Sequence, residues 1–267
     1  MQSRSIIHIS DLHFGRHSDE TVTGLLHFLS SLPSPLKLVI VTGDLTQRAK
    51  EKEFRHAAAF LQKLRLNGTA IVVIPGNHDV SLYNPITRFL WPFKAYDDHI
   101  GRHFPDSYED ESLCVVGLRT NDTFTVAEGR LRKEHAETCR ARFSAAKQKL
   151  KLLAVHHPLL ESLSNPYARE ILSTGPEMVL SGHRHRYGIV RLQSDRRTVL
   201  SLSAGTAIST RTRDEENGFN WIEYTPGEPE GKVSAVLLKE GKFELQASET
   251  FLMPRHDLSK AVKSKAT

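Results

Sequence analysis

The sequence predicts an α/β fold, a β-sandwich flanked by helices. Two observations lead there. Short β-branched runs alternate with amphipathic helical stretches as far as Leu180, and beyond Gly188 the pattern changes to strands joined by tight turns. No composition shift, internal repeat or low-complexity tract divides the chain, so residues 1–254 read as one domain.

The first strand is expected over 6–9. Val22, Leu25, Leu26 and Leu29 then fall at helical spacing. A second strand over 38–41 precedes a helix whose buried face would be Phe54, Ala57, Ala58, Leu61 and Leu64, and a third covers 70–74. Segment 82–105 interrupts the alternation. Pro85, Pro92 and Pro105 punctuate Phe89, Leu90, Trp91, Phe93 and Tyr96. It reads as an insertion packed on the core, or as a cap over a site or a patch that meets a lipid surface or a partner.

Strands over 113–118, 151–155 and 178–180 follow, with a helix over 131–150 resting on His135, Cys139, Phe143 and Ala146. The remaining strands are expected over 189–192, 197–202, 219–224, 232–239 and 242–247. The last two are joined by Lys239-Glu240-Gly241-Lys242.

Composition narrows the function classes. With 39% hydrophobic and 25% charged residues the chain is ordinary globular material, neither disordered nor fibrous. It has no apolar run long enough for a transmembrane helix or a signal-peptide core. Cys114 and Cys139 are too few for a disulfide framework, so reduced thiols in the cytoplasm are expected. The net charge of +5 is concentrated at the end: Arg255, Lys260, Lys263 and Lys265 stand against Asp257 alone. The tail 255–267 therefore reads as a solvated, flexible end, and the basic pI says little about nucleic acid.

Five clusters of metal-capable side chains carry the chemistry. They are Asp11-Leu12-His13, Gly43-Asp44, Gly76-Asn77-His78-Asp79, His156-His157-Pro158 and Gly182-His183-Arg184-His185. Each follows a predicted strand directly, and ligands of open α/β sheets gather at strand C-terminal ends. Any one cluster alone is unremarkable loop polarity; all five together point to one metal site. Asp11 and His13, like His183 and His185, are two apart, so on an extended chain each pair would point one way. Gly43 and Gly76 would permit tight turns where a Cβ would crowd an ion.

In order, these clusters match Asp-X-His, Gly-Asp, Gly-Asn-His-Asp, a later His, and Gly-His-X-His. The set resembles the calcineurin-like metallophosphoesterase superfamily. His-His-Pro and Gly-Asp-Leu-Thr-Gln look most similar to bacterial class III cyclic-nucleotide phosphodiesterases. The resemblance implies a four-layer α-β-β-α sandwich: two mixed sheets flanked by helices, with a dinuclear metal site at strand C-terminal ends. One ion would take Asp11, His13, Asp44 and His185, the other Asp44, Asn77, His156 and His183, with Asp44 bridging. His156 is the expected ligand rather than His157, because the family's ligand sits two before the proline. Such a ligand set suits two divalent or mixed-valence ions, Mn, Fe, Zn or Co.

The implied activity is hydrolysis of a small phosphodiester, a cyclic nucleotide being favoured, by hydroxide held between the ions. A lipid-linked or glycerol phosphodiester is the alternative substrate, with peripheral membrane contact through 82–105. A non-catalytic scaffold of the same fold is the alternative of another class. Phosphoprotein phosphatases of this type carry Gly-Asp-X-X-Asp-Arg-Gly, where this chain has Gly43-Asp44-Leu45-Thr46-Gln47-Arg48-Ala49. Related lipid-precursor pyrophosphohydrolases usually carry Arg at the position of His78. Nucleases of the superfamily usually bring a further domain, for which there is no room, so no nucleic acid duplex is expected.

His78 is implied as general acid or charged stabiliser over the phosphate. Some members support that histidine with an Asp three residues after the Gly-Asp aspartate, where this chain has Gln47. Asp79 would substitute as its partner, or else only brace the loop. His8, His17, His27, His56, His99, His103, His135 and His256 read as structural or solvated. Arg119, Asn121, Asp122, Thr206, Arg211 and Arg213 sit in loops after strands. Solvation is their simpler reading, contact with an anionic substrate the other.

Overall fold

The computed structural model describes residues 2–65, 68–81, 85–122, 128–194, 197–212 and 215–254. Arg213, His256, the basic tail 255–267 and residues 82–84 of the aromatic segment lie outside the described residues. Two six-stranded sheets face one another. In the first, β1 (Arg4–Ile9), β2 (Leu36–Thr42) and β3 (Ala70–Ile74) run parallel. Antiparallel β10 (Gly218–Tyr224), β11 (Glu230–Lys239) and β12 (Lys242–Leu252) extend it beyond β1. In the second, β5 (Leu113–Gly117), β6 (Leu150–Ala154), β7 (Met178–Ser181) and β9 (Arg197–Ser203) are parallel. Antiparallel β4 (Tyr108–Glu109) and β8 (Gly188–Ser194) form its edges.

The strands are apolar on both faces because both faces are covered. Along β2, Leu38 and Ile40 meet the second sheet, while Val39 and Val41 meet helices α1 (Asp19–Ser30) and α2 (Glu51–Leu64). Val115, Leu152, Ala154, Met178 and Leu180 supply the facing side of the inter-sheet core. On the outer side of the second sheet, Ala136, Cys139 and Phe143 of α5 (Lys133–Ala145) join Ala168, Ile171 and Leu172 of α6 (Pro166–Ser173). The layers are therefore α-β-β-α and both sheets are mixed, as the sequence predicts.

Three local differences have physical reasons. The helix expected over 131–150 spans only Lys133–Ala145, because its apolar face is thin and Leu150 already begins β6. β12 runs beyond 247 to Leu252, paired with β11 although much of it is exposed. Its hairpin turn places both Glu240 and Gly241 at positive φ, which the right-handed twist of a two-residue hairpin demands. The aromatic segment divides. Tyr96 at the end of α4 (Lys94–Tyr96), Ile100 and Phe104 are buried against the first sheet's helical layer, and the Tyr96 hydroxyl donates to the Val73 carbonyl at 3.0 Å. Phe89 at the end of α3 (Pro85–Leu90), Leu90 and Trp91 remain 55%, 61% and 58% exposed.

His8 is the buried polar exception on β1. Its Nδ1 accepts from the Asn220 amide at 3.0 Å and its Nε2 donates to the Thr42 hydroxyl at 2.9 Å, tying β1 to β10 and β2. Burial pushes its pKa down to about 3, so it stays a neutral, satisfied core histidine, in keeping with its structural reading. Among the described residues, no helix is long and apolar enough to cross a membrane. Both cysteines are buried and unpaired.

Leu152 is fully buried between the sheets. Leu152→Ala should lower stability by about 2–5 kcal/mol, read as a lower urea midpoint at unchanged slope. An unchanged midpoint would contradict the packing described for the inter-sheet core.

Candidate metal centre

All five clusters stand at strand C-terminal ends. Asp11 and His13 follow β1, Asp44 follows β2, Asn77 follows β3, His156 follows β6 and His183 follows β7. They converge from two facing sheets rather than along the edge of one sheet. The two-residue spacing does not work by the extended alternation that the sequence suggests. Asp11, His13, Asp44, His183 and His185 all have positive φ, from 46° to 71°. Each sits in the left-handed region, sparsely populated by residues with a Cβ and typical of functional loops.

Close packing of the loops explains the glycines. A Cβ on Gly43, itself at φ +95°, would lie 2.6 Å from the Gly76 nitrogen and 2.7 Å from His156 Nδ1. A Cβ on Gly76 would collide with the backbone nitrogen and Oδ1 of Asp44. The glycines therefore make room for neighbouring loops and ligand candidates, not directly for an ion.

The side chains form two adjoining groups. Asp11, His13, Asp44 and His185 bring one ligand atom each within 4.8 Å of one another, all four residues buried. His13 Nε2 and His185 Nε2 are 3.1 Å apart, and Asp11 Oδ1 is 3.2 Å from His185 Nε2. In the second group, Asn77 Oδ1 lies 3.0 Å from both His156 Nε2 and His183 Nδ1. Asp44 faces both. Its Oδ2 is 3.8 Å from His13 Nε2 and its Oδ1 is 3.4 Å from His156 Nε2.

This donor set fits metal ions. The Nδ1 of His156 donates to the Thr42 carbonyl at 2.7 Å, and that of His185 to the Arg211 carbonyl at 2.9 Å. Their Nε2 lone pairs are thereby turned inward, toward other acceptors. Asp11 Oδ1 is buried without a hydrogen-bond partner. Donor atoms ~3 Å apart are what adjacent positions around one ion require when each bond is ~2.0–2.2 Å. Burial, Asp11 and Asp79 push the Asp44 carboxyl well above its ordinary range. Against the effect of burial, His185, His156 and His13 hold Asp11 below the usual carboxylate range. Burial pushes His13 down to about 3 and His156 down to about 4, so both imidazoles are neutral ligand candidates. Cations would offset the two carboxylates and satisfy the inward lone pairs together.

His78 stands beside this nest, its ring edge-on to His13 with centroids 4.9 Å apart. Its Nδ1 donates to the Gln47 backbone carbonyl at 2.8 Å, and its Nε2 accepts from Arg211 Nη1 at 3.2 Å. Gln47 thus supports His78 through its main chain, whatever its side chain. Asp79 does something else. Its carboxylate accepts the backbone N–H groups of Leu45, Thr46 and Gly76 at 2.9–3.1 Å and the Thr46 hydroxyl at 3.0 Å. That is a brace between the Asp44 and Gly76 loops, and its charge is spent on them. These contacts are those of the bracing alternative for Asp79.

Other candidates separate cleanly. His157 Nδ1 bonds the Thr120 hydroxyl at 2.8 Å, while its Nε2 is buried and unpartnered near His156 and His183. Arg119 turns to Asp97 at 3.0 Å and the rings of Phe93 and Tyr96. Asp122 pairs with Arg130 at 3.4 Å. Thr206 is buried and receives the Asn217 amide. Among the described residues given a solvated-loop reading, Arg211 is hydrogen-bonded to His185 and His78, while Asn121 is buried with its side-chain amide unpartnered. No sequence signal marks the carbonyls of Thr42, Gln47 and Arg211, because every residue has one.

Fold and donor set together define a metal-binding α/β sandwich protein. Residues 4–187 match the model for calcineurin-like phosphoesterases, and the chain belongs to that family. Membership indicates metal-dependent phosphoester hydrolysis with divalent ions. A purple acid phosphatase, PPD1, from yellow lupin seeds shares the fold with a TM-score of 0.67 at 12% identity, over 96% of this chain and 55% of that one. Vacuolar Protein Sorting 29 from Cryptosporidium parvum matches with a TM-score of 0.50 at 14% identity, over 94% of this chain and 100% of that one. At these identities both matches speak for the fold alone. Comparison with curated proteins finds no match.

Asp79→Ala would strand three buried N–H donors. The expected result is a stability loss of about 3 kcal/mol or more, with weaker divalent-ion binding by calorimetry. Unchanged stability and ion binding with lost turnover would instead make Asp79 catalytic.

Proposed function

We propose that the protein is a dinuclear metal-dependent phosphodiesterase acting on a small phosphodiester, a cyclic nucleotide being the favoured class. The observation that carries this reading is the position of Asp44, with one carboxylate oxygen toward each group of imidazoles. Asp11, His13, Asp44 and His185 would hold one ion, and Asp44, Asn77, His156 and His183 the other. When bound, a pair of divalent ions would polarise a phosphoryl oxygen and acidify water.

The chain's own residues do the rest. Asp11 and Asp44 offset part of the cationic charge, and Asn77 adds none, so a phosphoester anion is still attracted. The backbone N–H of His78 donates to Asp44 Oδ1 at 2.8 Å, and that of His183 to Asp11 Oδ2 at 3.0 Å; both fix a carboxylate's orientation. The carbonyls of Thr42 and Arg211 set the His156 and His185 tautomers so that Nε2 faces inward. With Nδ1 committed to Gln47, His78 can offer only Nε2 to the substrate, positioned to serve the leaving oxygen.

The cyclic-nucleotide class is supported by the likeness of His156-His157-Pro158 and the Gly43–Gln47 stretch to class III phosphodiesterases. The exposed Phe89, Leu90 and Trp91 favour a second substrate reading, a lipid-linked or glycerol phosphodiester. A panel with Mn, Fe, Zn and Co separates them: 2′,3′- and 3′,5′-cyclic nucleotides, glycerophosphodiesters, nucleotide-lipid pyrophosphates and bis-p-nitrophenyl phosphate. Preference for a cyclic nucleotide is expected. Two bound ions with no hydrolysis of any member would overturn the enzymatic reading.

Asp44→Asn should abolish turnover and lower the metal content of both groups together, measured by elemental analysis. Near-normal activity with both ions retained would overturn the shared-carboxylate assignment. His78→Ala should depress kcat most for esters with poor leaving groups. An equal loss across a leaving-group series would reduce His78 to a positioning residue.

A further inference from the structure

We infer that Arg211 is the phosphate-binding arm of this site, and that its guanidinium now occupies the His78 nitrogen that substrate would take over. The inference rests on the phosphoester-hydrolase reading and deepens it. Arg211 contacts the site twice. Its carbonyl accepts from His185 Nδ1 at 2.9 Å, and its Nη1 donates to His78 Nε2 at 3.2 Å. The first contact is main chain and independent of the side chain. The second matches a permanent cation to the lone pair of a neutral ring. Among the described residues, no carboxylate forms an ion pair with this guanidinium.

The loop beneath it is anchored. The carbonyl of Arg16 accepts from the Ser209 hydroxyl at 3.2 Å, the Thr210 nitrogen at 2.8 Å and the Thr210 hydroxyl at 2.9 Å. The Asn217 amide donates to the Ser209 carbonyl at 2.8 Å, and the Arg211 nitrogen to the Ser209 hydroxyl at 3.0 Å. The N–H and the carbonyl of Arg211 are thus both held, while its partly exposed side chain ends beside His78 and His13.

A phosphoester oxygen is a better acceptor for a guanidinium than an imidazole nitrogen. It carries charge, and the planar fork can meet two oxygens at once. Arrival of the anion would draw Nη1 from His78 to the phosphoryl group. The same exchange leaves His78 Nε2 facing the substrate. Binding and the uncovering of the His78 nitrogen are then one event, carried by a residue outside the five motif clusters.

The test uses metal-loaded protein with inorganic phosphate as the probe in calorimetry and bis-p-nitrophenyl phosphate in kinetics. R211A is expected to keep its metal content, because the carbonyl to His185 remains, and to bind phosphate about tenfold more weakly or worse, with KM raised alongside. R211K should recover part of the affinity, and added guanidinium should improve R211A while leaving the wild type unchanged. If R211A loses metal, R211K carries the comparison with metal bound. Phosphate affinity and KM within about twofold of wild type in the metal-replete variant would overturn the assignment. A wild type that hydrolyses no phosphoester would overturn the parent reading instead, so the two failures are distinct.

Discussion

Two carboxylates buried side by side dominate this molecule. Asp11 and Asp44 sit beyond the reach of water, among imidazoles that burial keeps neutral. No lysine or arginine forms an ion pair with either among the described residues, and Asp11 Oδ1 lacks even a hydrogen bond. A protein interior tolerates such a pair only where protons or cations compensate it. The lone pairs of His156 and His185 are turned inward by carbonyls behind them, which favours cations. The surrounding structure can be understood as the means of holding that unfavourable arrangement in place.

The holding is done by loops, and loops at strand ends are inherently loose. Three devices tighten them here. The parallel strands give five exits that point to one region from two sheets. The left-handed conformations at Asp11, His13, Asp44, His183 and His185 turn the chain sharply within each exit. Asp79 joins the Asp44 loop to the Gly76 loop through three backbone N–H groups. The left-handed strain at these five residues is offset by packing in the inter-sheet core and by the buried His8–Thr42–Asn220 link.

Much of this was legible in the sequence because it rests on periodicity and residue chemistry. Alternating strand and helix patterns located β1 to β3, β5 to β7 and the later antiparallel strands. The five clusters named every side chain that the fold gathers into the two donor groups. What stayed hidden follows a physical pattern too. Helix α5 was overextended because a thin apolar face carries no end signal. Positive φ at five ligand candidates cannot be read from spacing, since two-residue separation looks the same extended or left-handed. The two turns of α6 carry Ala168, Ile171 and Leu172 at helical spacing, but so short a stretch between Pro166 and Gly175 is easily passed over as loop. Arg211 was visible only as a basic loop residue, because its neighbourhood depends on a loop returning from β9 to the first exit.

The departure at Gln47 shows why backbone chemistry weighs so much. At the position where some members of the family are expected to carry a carboxylate, this chain has an amide side chain that could not charge the imidazole. The structure supplies a partner for His78 all the same, because the Gln47 carbonyl accepts from its Nδ1 at 2.8 Å. The same device orients His156 through Thr42 and His185 through Arg211. A carbonyl fixes which nitrogen carries the proton but, unlike a carboxylate, contributes no full negative charge. Orientation and charge are therefore separable. This chain retains the first at all three histidines, and for His78 it replaces the second with a neighbouring guanidinium of opposite sign. The consequence is a His78 held neutral, whose service to a leaving group must draw its proton from elsewhere in the site rather than from a standing charge.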